Sequence, residues 1–507
     1  MIRQEIVKLI QKATGESPEK IQVTYPERGG FGDYTTNIAL RLKKPAKEIV
    51  ESLKSDLFEK IEVAGPGFIN FFLSKEYLQK QIKAILKEKD KFGQLKIGKG
   101  KKVNVEFISA NPTGPLTLGN GRGGFCGDVL TNVLNKAGYL AKREYYVNDI
   151  GEQIKKLGHS VLNDAEAVYQ GNYIEELRKK IKGSDPEKVG DNAAKTILQE
   201  MIKPTVAKMK IKFDVWFSEK TLYKNKNAVE SLNVLKKQNL SYESEGALWF
   251  KSTQFGDDKD RVLIKADGEK TYLASDIAYL ENKFTRGFKK LIFFWGADHY
   301  GYVARIKAAA EALGYKKEQI DIVVMQLVRL IREGKEVRMS KRTGTYVTLD
   351  ELIDEVGLDV ARFFFLTRSA DTHLNFDLAL AKTQSDKNPV YYIQYAHARI
   401  CSILAKAKIR KVSPRTNLLK HPTELKLIRQ LMRLPEIVED TAQDFQIQRL
   451  PQYAVDLATA FHQFYRDCHV ITEDEKLTQA RLALVSATKI VLKNTLSLMG
   501  ISVPEKM

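Results

Sequence analysis

Apolar and polar residues alternate along Val103-Asn-Val-Glu-Phe-Ile108, the two-residue period of a strand with one face turned inward. A second strand-like run covers Lys142–Val147. The stretch between them, Asn120 to Ala137, fits a helix stopped by Gly138. Strand, helix and strand in that order predict a β-α-β unit and therefore a parallel sheet. Leu291-Ile-Phe-Phe-Trp295 is apolar throughout and ends at Gly296, as expected of a further strand covered on both faces.

Other patterns flank this core. Up to about Lys91 the chain mixes a short helix, a glycine-rich turn at Gly29–Tyr34 and an apolar run at Gly65–Leu73. The turn-rich stretch Lys89–Lys102 reads as a boundary between domains. Residues near 152–212 are charged and helical in pattern, an insertion between two halves of the sheet. After about Asp386 everything is helical. From Pro389, the residues Val390, Ile393, His397, Ile400 and Leu404 fall at 3-4-3-4 spacing and form one stripe, with Tyr392, Tyr395 and Arg399 roughly opposite. Three units follow: an α+β domain over 1–95, an α/β domain over 96–385 and an all-α bundle over 386–507.

At 507 residues and 43% hydrophobic, the chain can build two to four cored domains. Its formal charge is +19, from 82 basic and 63 acidic residues, which favours a polyanionic partner, most simply nucleic acid. Cys126, Cys401 and Cys468 are scattered without a Cys-x-x-Cys, which argues against a disulfide framework or a zinc site. The start, Met1-Ile-Arg-Gln-Glu-Ile, lacks a signal-peptide layout, and no apolar run or lipidation signal suggests a membrane. A cytoplasmic protein is expected.

Gly119-Asn-Gly121-Arg-Gly-Gly124, with Glu144 about twenty residues on, formally matches a dinucleotide-binding fingerprint. That fingerprint begins at a strand's end, whereas ten residues, Ser109 to Leu118, intervene here, so an oxidoreductase is rejected. What Pro112-Thr-Gly-Pro-Leu-Thr-Leu-Gly119-Asn120 does offer is a glycine-bearing turn running into a helix, whose free N–H groups suit phosphate. Far along the chain, Arg338-Met-Ser-Lys341-Arg-Thr-Gly344 sets three cations in five residues before a glycine, a clamp suited to a triphosphate. Trp295-Gly-Ala-Asp298-His299-Tyr-Gly301 follows the apolar strand, where open parallel sheets bind nucleotides. Tyr272 and Asp276, four apart on a predicted helix, would present a phenol and a carboxylate together, apt for a planar guanidinium.

Together these stretches resemble the arginyl-tRNA synthetases of bacterial type, and the match runs along nearly the whole chain. The resemblance implies a Rossmann-like parallel-sheet catalytic domain, an N-terminal domain touching the tRNA D-arm and a helical anticodon-binding domain. Pro112–Asn120 is similar to the HIGH signature of class I synthetases, with Thr117 and Asn120 standing where that family usually has two histidines. Arg338–Gly344 resembles the KMSKS signature. By the same resemblance Lys341, Ser340, Asn120 and Thr117 are catalytic, and Gly119, Gly121, Asp298, His299, Met339 and Arg342 bind ATP. Glu219, Tyr272 and Asp276 would surround the arginine guanidinium, while Ser109 and Asn111 hold its α-amino and carboxylate ends. Tyr145–Gln153 matches a family motif near the amino-acid site.

For tRNA the resemblance implies anticodon contacts at Tyr392, Tyr395, Arg399, Tyr465 and Met507, and D-arm contacts at Asp33, Tyr34 and Asn37. The expected ligands are ATP with Mg²⁺, L-arginine and an arginine-accepting tRNA. No structural metal and no membrane are expected, and the protein is expected to act as a monomer. Similar enzymes commonly need bound tRNA before activating arginine. Two rivals remain at this point: a synthetase for another amino acid, and a non-catalytic RNA-binding relative, prompted by the replaced histidines.

Overall fold

Five strands, among the residues described, form the central sheet: β1 (Lys102–Glu106), β2 (Leu140–Val147), β3 (Val215–Ser218), β4 (Lys290–Gly296) and β5 (Ile320–Met325). The computed structural model describes residues 1–26, 30–224, 227–337, 347–407 and 415–507. All pairings in this sheet are parallel, in the order β5-β4-β1-β2-β3. Leu291, Ile292, Phe293 and Phe294 of β4 are all buried, as a strand covered on both faces requires. From β1 the chain crosses to β2 on one side, while β4 and β5 lie on the other. The strand order therefore reverses between β1 and β4, and a crevice opens at their C-terminal ends.

Helix α1 (Leu118–Lys136) makes the crossover from β1 to β2. The fingerprint-like glycines all lie within it. A Cβ at Gly124 would fall 2.6 Å from Met209 and 2.9 Å from Ile108, and one at Gly127 would fall 2.3 Å from the Phe107 ring, so small residues let the helix settle on the sheet. Helix α2 (Tyr272–Thr285) precedes β4, and α3 (Leu349–Val356) follows the basic signature. Between 152 and 208 the chain is helical: Glu152–Leu162, Asn172–Lys180, Pro186–Ile197 and Lys203–Lys208. Two further three-stranded sheets accompany the central one. One pairs Ser241–Ser244, Ala247–Phe250 and Arg261–Ile264; the other pairs Lys335–Val337, Val328–Arg332 and Leu374–Asp377.

The C-terminal part is a bundle that includes α4 (Pro389–Lys406), α5 (Arg449–Asp467) and α6 (Glu475–Met499). By length and composition α6 could cross a bilayer, contrary to the expectation that no segment would, but most of it is buried inside the bundle. The predicted stripe on α4 is inward: Val390, Ile393, His397 and Ile400 are buried.

The N-terminal domain has helix Ile2–Thr14 and an antiparallel sheet with Phe68–Leu73 between Tyr34–Thr36 and Phe58–Ala64. It docks on the bundle through Glu436, which accepts from the Arg3 backbone N–H at 3.2 Å and from the Tyr25 and Tyr34 hydroxyls at 2.5 and 3.1 Å. Two expected tRNA contacts are thereby corrected. Tyr34 is buried in this joint, and Asp33 is occupied by the Arg429 guanidinium at 2.6 Å and the Leu73 N–H at 2.7 Å. Asn37 stays half-buried at the start of helix Ile38–Leu42.

Candidate active site

The chain leaving β1 turns sharply. Ile108 and Ser109 have φ of 67° and 38°, consecutive left-handed residues that are not glycine and of which the first is β-branched. Such conformations cost about 1–3 kcal/mol each and persist only where neighbours enforce them. Here the Ser109 hydroxyl donates to Glu106 Oε1 at 3.2 Å and accepts from the Tyr146 N–H at 3.1 Å. The Tyr145 hydroxyl donates to the Ala110 carbonyl at 2.9 Å, and Asn111 Nδ2 to Gln153 Oε1 at 3.2 Å. Four hydrogen bonds, to β1, β2 and the helix that follows β2, thus fix the turn.

Downstream, Thr117 begins α1. Its backbone N–H and its hydroxyl both donate to Asn120 Oδ1, at 3.0 and 2.9 Å, and Asn120 Nδ2 has no partner among the described residues. Gly119 is exposed, and a Cβ there would meet only the Thr117 hydroxyl, at 3.8 Å. Gly121 is buried, and a Cβ there would fall 2.6 Å from Leu349, so packing rather than phosphate accounts for that glycine. Leu349 N donates to the Leu116 carbonyl at 3.0 Å, and Thr117 forms a β-bridge with Thr348. The residues just after the basic signature therefore meet the glycine turn directly. Met339, Ser340, Lys341 and Arg342 themselves lie outside the described residues. Buried Arg122 adds a tie that sequence reasoning missed, donating to the Gln326 and Ser369 carbonyls at 2.7 Å each.

Across the crevice, α2 presents Tyr272 and Asp276 as their spacing predicts. Asp276 Oδ2 accepts from the Tyr302 hydroxyl at 2.6 Å, and Tyr272 is 58% exposed, standing at the mouth. Glu219 follows β3 and is buried; its N–H donates to the Val147 carbonyl at 3.0 Å. Asn148, with its amide oriented as its neighbours require, donates to Glu219 Oε2 at 3.0 Å, and Tyr146 and Ser275 stand beside the same carboxylate. Tyr302 and Ser275 were not anticipated, because their partners come from other elements, whereas Tyr146 and Asn148 fall within the Tyr145–Gln153 motif. Asp298 and His299 are exposed at the end of β4, 3.6 Å apart.

Burial pushes the Glu219 carboxyl up to about 7, opposed by its hydrogen bonds and reinforced by Asp276. Burial likewise lifts Asp276 to about 7, reinforced by Glu106 and opposed by Tyr302. Two neighbouring carboxyls, each lifted toward neutrality, are suited to pairing with a cation. Since the ionised forms pair with guanidinium, arginine affinity is expected to rise from about pH 6 to about pH 8 and then level. Each unit below 7 weakens binding up to about tenfold per carboxyl. The unliganded protein has the opposite slope. Between about pH 4 and 7 the fold keeps protons that the unfolded chain has released, so stability falls as pH rises. Calorimetric titration with arginine at several pH values checks this, and a flat profile refutes it.

Three family models tile the chain: Arginyl tRNA synthetase N terminal domain over 1–73, the catalytic domain of tRNA synthetases class I (R) over 81–179 and 160–371, and the DALR anticodon binding domain over 393–507. Arginine–tRNA ligase 1 of Halalkalibacterium halodurans is 44% identical across all of this chain and 98% of its own length. The arginine–tRNA ligase of Geobacillus kaustophilus is also 44% identical at the same coverage. The chain belongs to the arginyl-tRNA synthetases. The solved Thermus thermophilus arginyl-tRNA synthetase shares its fold, with a TM-score of 0.82 over the full length of both chains at 23% identity.

The aromatic face of the bundle is assembled from α4 and α5. The Arg399 guanidinium lies over the rings of Tyr395 and Tyr465 at 4.8 and 4.9 Å. Tyr392 packs on His462 at 4.7 Å, a neighbour that sequence reasoning did not include, and Tyr395 stacks on Tyr391 at 6.3 Å. Met507 is exposed at the end of a tail held by the His397 ring against the Pro504 carbonyl at 2.9 Å.

Proposed function

We propose that this protein activates L-arginine with ATP and transfers it to an arginine-accepting tRNA in the cytoplasm. The observation that carries the reading is the acid pair Glu219 and Asp276, held by Asn148 and Tyr302 in a protein whose parallel sheet has its switch point at the glycine turn. The arginine carboxylate attacks the ATP α-phosphate, forming the arginyl-adenylate and releasing pyrophosphate. The 2′-hydroxyl of the tRNA's terminal adenosine then takes the arginyl group and AMP leaves. ATP enters as its Mg²⁺ complex, the metal riding on the phosphates.

Ser109 and Asn111 serve the α-amino and carboxylate ends, and Glu219, Tyr272 and Asp276 the guanidinium. Gly119, the α1 N-terminus and the Asn120 amide face the phosphates, with Asp298 and His299 at the adenosine side. Asn120 and Thr117 are neutral, so positive charge for the transition state comes from Lys341 and Arg342. The acid pair speaks against a protein that only binds RNA, which would have no use for a buried Glu219 and a half-buried Asp276 set together for a cation. Arginylation of total tRNA by purified protein tests the reading; tRNA binding without arginyl-tRNA product would favour the RNA-binding alternative.

On the bundle we assign Tyr392, Tyr395, Arg399, Tyr465 and Met507 to the unstacked anticodon. Stacking one base on an aromatic side chain contributes about 1–3 kcal/mol. Tyr395→Ala is therefore expected to weaken tRNA binding about tenfold in a filter assay while leaving the turnover of pyrophosphate exchange at saturating tRNA unchanged. Unaltered tRNA affinity would remove this face from the anticodon site.

A further inference from the structure

Helix α2 carries more than Tyr272 and Asp276. Tyr279 and Lys283 continue the same face at spacings of three and four, and they reach beneath the cup onto β1 and β2. Lys283 is fully buried. Its Nζ lies 2.8 Å from Glu106 Oε2 and 3.0 Å from Glu144 Oε1, and donates to Asn104 Oδ1 at 2.5 Å. Three donors thus meet three acceptors. The Tyr279 hydroxyl sits between the same two carboxylates, 2.9 Å from Glu106 and 2.6 Å from Glu144, and Arg286 grips Glu144 with both arms at 2.7 and 2.8 Å.

The buried charges balance, two carboxylates against Lys283 and Arg286. Burial alone would raise Glu144, but Lys283 and Arg286 outweigh it and hold that carboxyl down at about 2. Glu106 is the end of the network that faces the cup. Its Oε1 receives the Ser109 hydroxyl at 3.2 Å, and its charge bears on Asp276.

We propose that Lys283 is a positioning residue for arginine selection, holding the Glu106 carboxylate in place so that Ser109 and Asp276 keep the arrangement that receives the substrate. This deepens the reading of the site as an arginine pocket and rests on it. Without the ammonium, two carboxylates would face each other with only Arg286 to oppose them. Their repulsion drives the two apart, and that displacement reaches Ser109 and Asp276 through Glu106.

Lys283→Met is expected to raise the KM for arginine in tRNA-supported pyrophosphate exchange about tenfold or more, with the KM for ATP and the affinity for tRNA within about twofold. The double variant Lys283→Met/Glu144→Gln removes one acid along with the cation, restores neutrality, and should recover most of the arginine KM. A lysine that merely staples helix to sheet predicts no such rescue, and predicts arginine and ATP constants drifting together. An unchanged arginine KM in Lys283→Met, or no recovery in the double variant, overturns the proposal. If the single variant fails to fold, the double variant decides alone: a near-native arginine KM supports the role and a tenfold rise refutes it. Calorimetry on the unmodified protein separates the two claims. No arginine uptake there would sink the arginine-pocket reading and this proposal together, whereas uptake equal in protein and variant sinks only this one.

Discussion

Replacing Asp276 with asparagine is expected to lower arginine-dependent pyrophosphate exchange, measured with tRNA present, by about a hundredfold or more. A guanidinium has fixed, planar donors and keeps its charge on entering the cup. Removing one partner of a buried, hydrogen-bonded charge pair costs about 2–5 kcal/mol, and 1.4 kcal/mol is a factor of ten. Asparagine can still accept the Tyr302 hydroxyl that Asp276 holds at 2.6 Å, so the fold should survive. Its melting temperature should hold or rise at neutral pH, because a carboxylate whose burial is unfavourable has gone. Arginine activation that survives at full rate would assign the cup to a different amino acid.

Lys341→Ala carries the second large effect. Losing one group aimed at developing phosphate charge costs about 2.7–4 kcal/mol of barrier, so adenylate formation should slow by about 10²–10³-fold in single-turnover measurements. tRNA affinity should stay nearly intact, since the anticodon face lies on another domain. Lys341 lies outside the described residues, but the chain emerging from its segment is pinned to the glycine turn by the Leu349–Leu116 hydrogen bond and the Thr117–Thr348 bridge. Equal loss of adenylate formation and tRNA binding would show that this lysine serves something other than the nucleotide.

How much of this was legible in the sequence follows from the range of each interaction. β1, β4 and α1 announce themselves because periodicity and burial act within a few residues. The strand order could not be read, since it depends on which elements meet in space. The four-residue strands at Ser241–Ser244, Ala247–Phe250 and Arg261–Ile264 are too short to show a period. At the site, Tyr272 and Asp276 were found by helical spacing, whereas Tyr302 binds Asp276 across 26 residues. Lys283 continues the same spacing, yet a lysine on a helix ordinarily reads as a solvated charge, and only the acids of β1 and β2 make it a buried one. Asp33 and Tyr34 show the converse. The resemblance implied them as tRNA contacts, while the partners they hold within the protein, Arg429 and Glu436, stand about four hundred positions away.

That separation has a consequence for biogenesis. Tyr34 and Glu436 are 402 residues apart, and at a synthesis rate of about 5–20 residues per second the ribosome needs roughly 20–80 s to make the second after the first. Throughout that interval the nascent amino-terminal module has nothing to close against, and the phenols of Tyr25 and Tyr34 remain uncovered. Docking is therefore among the last events of maturation, and a holdase that shields this one surface would act on the growing polypeptide rather than on the finished enzyme.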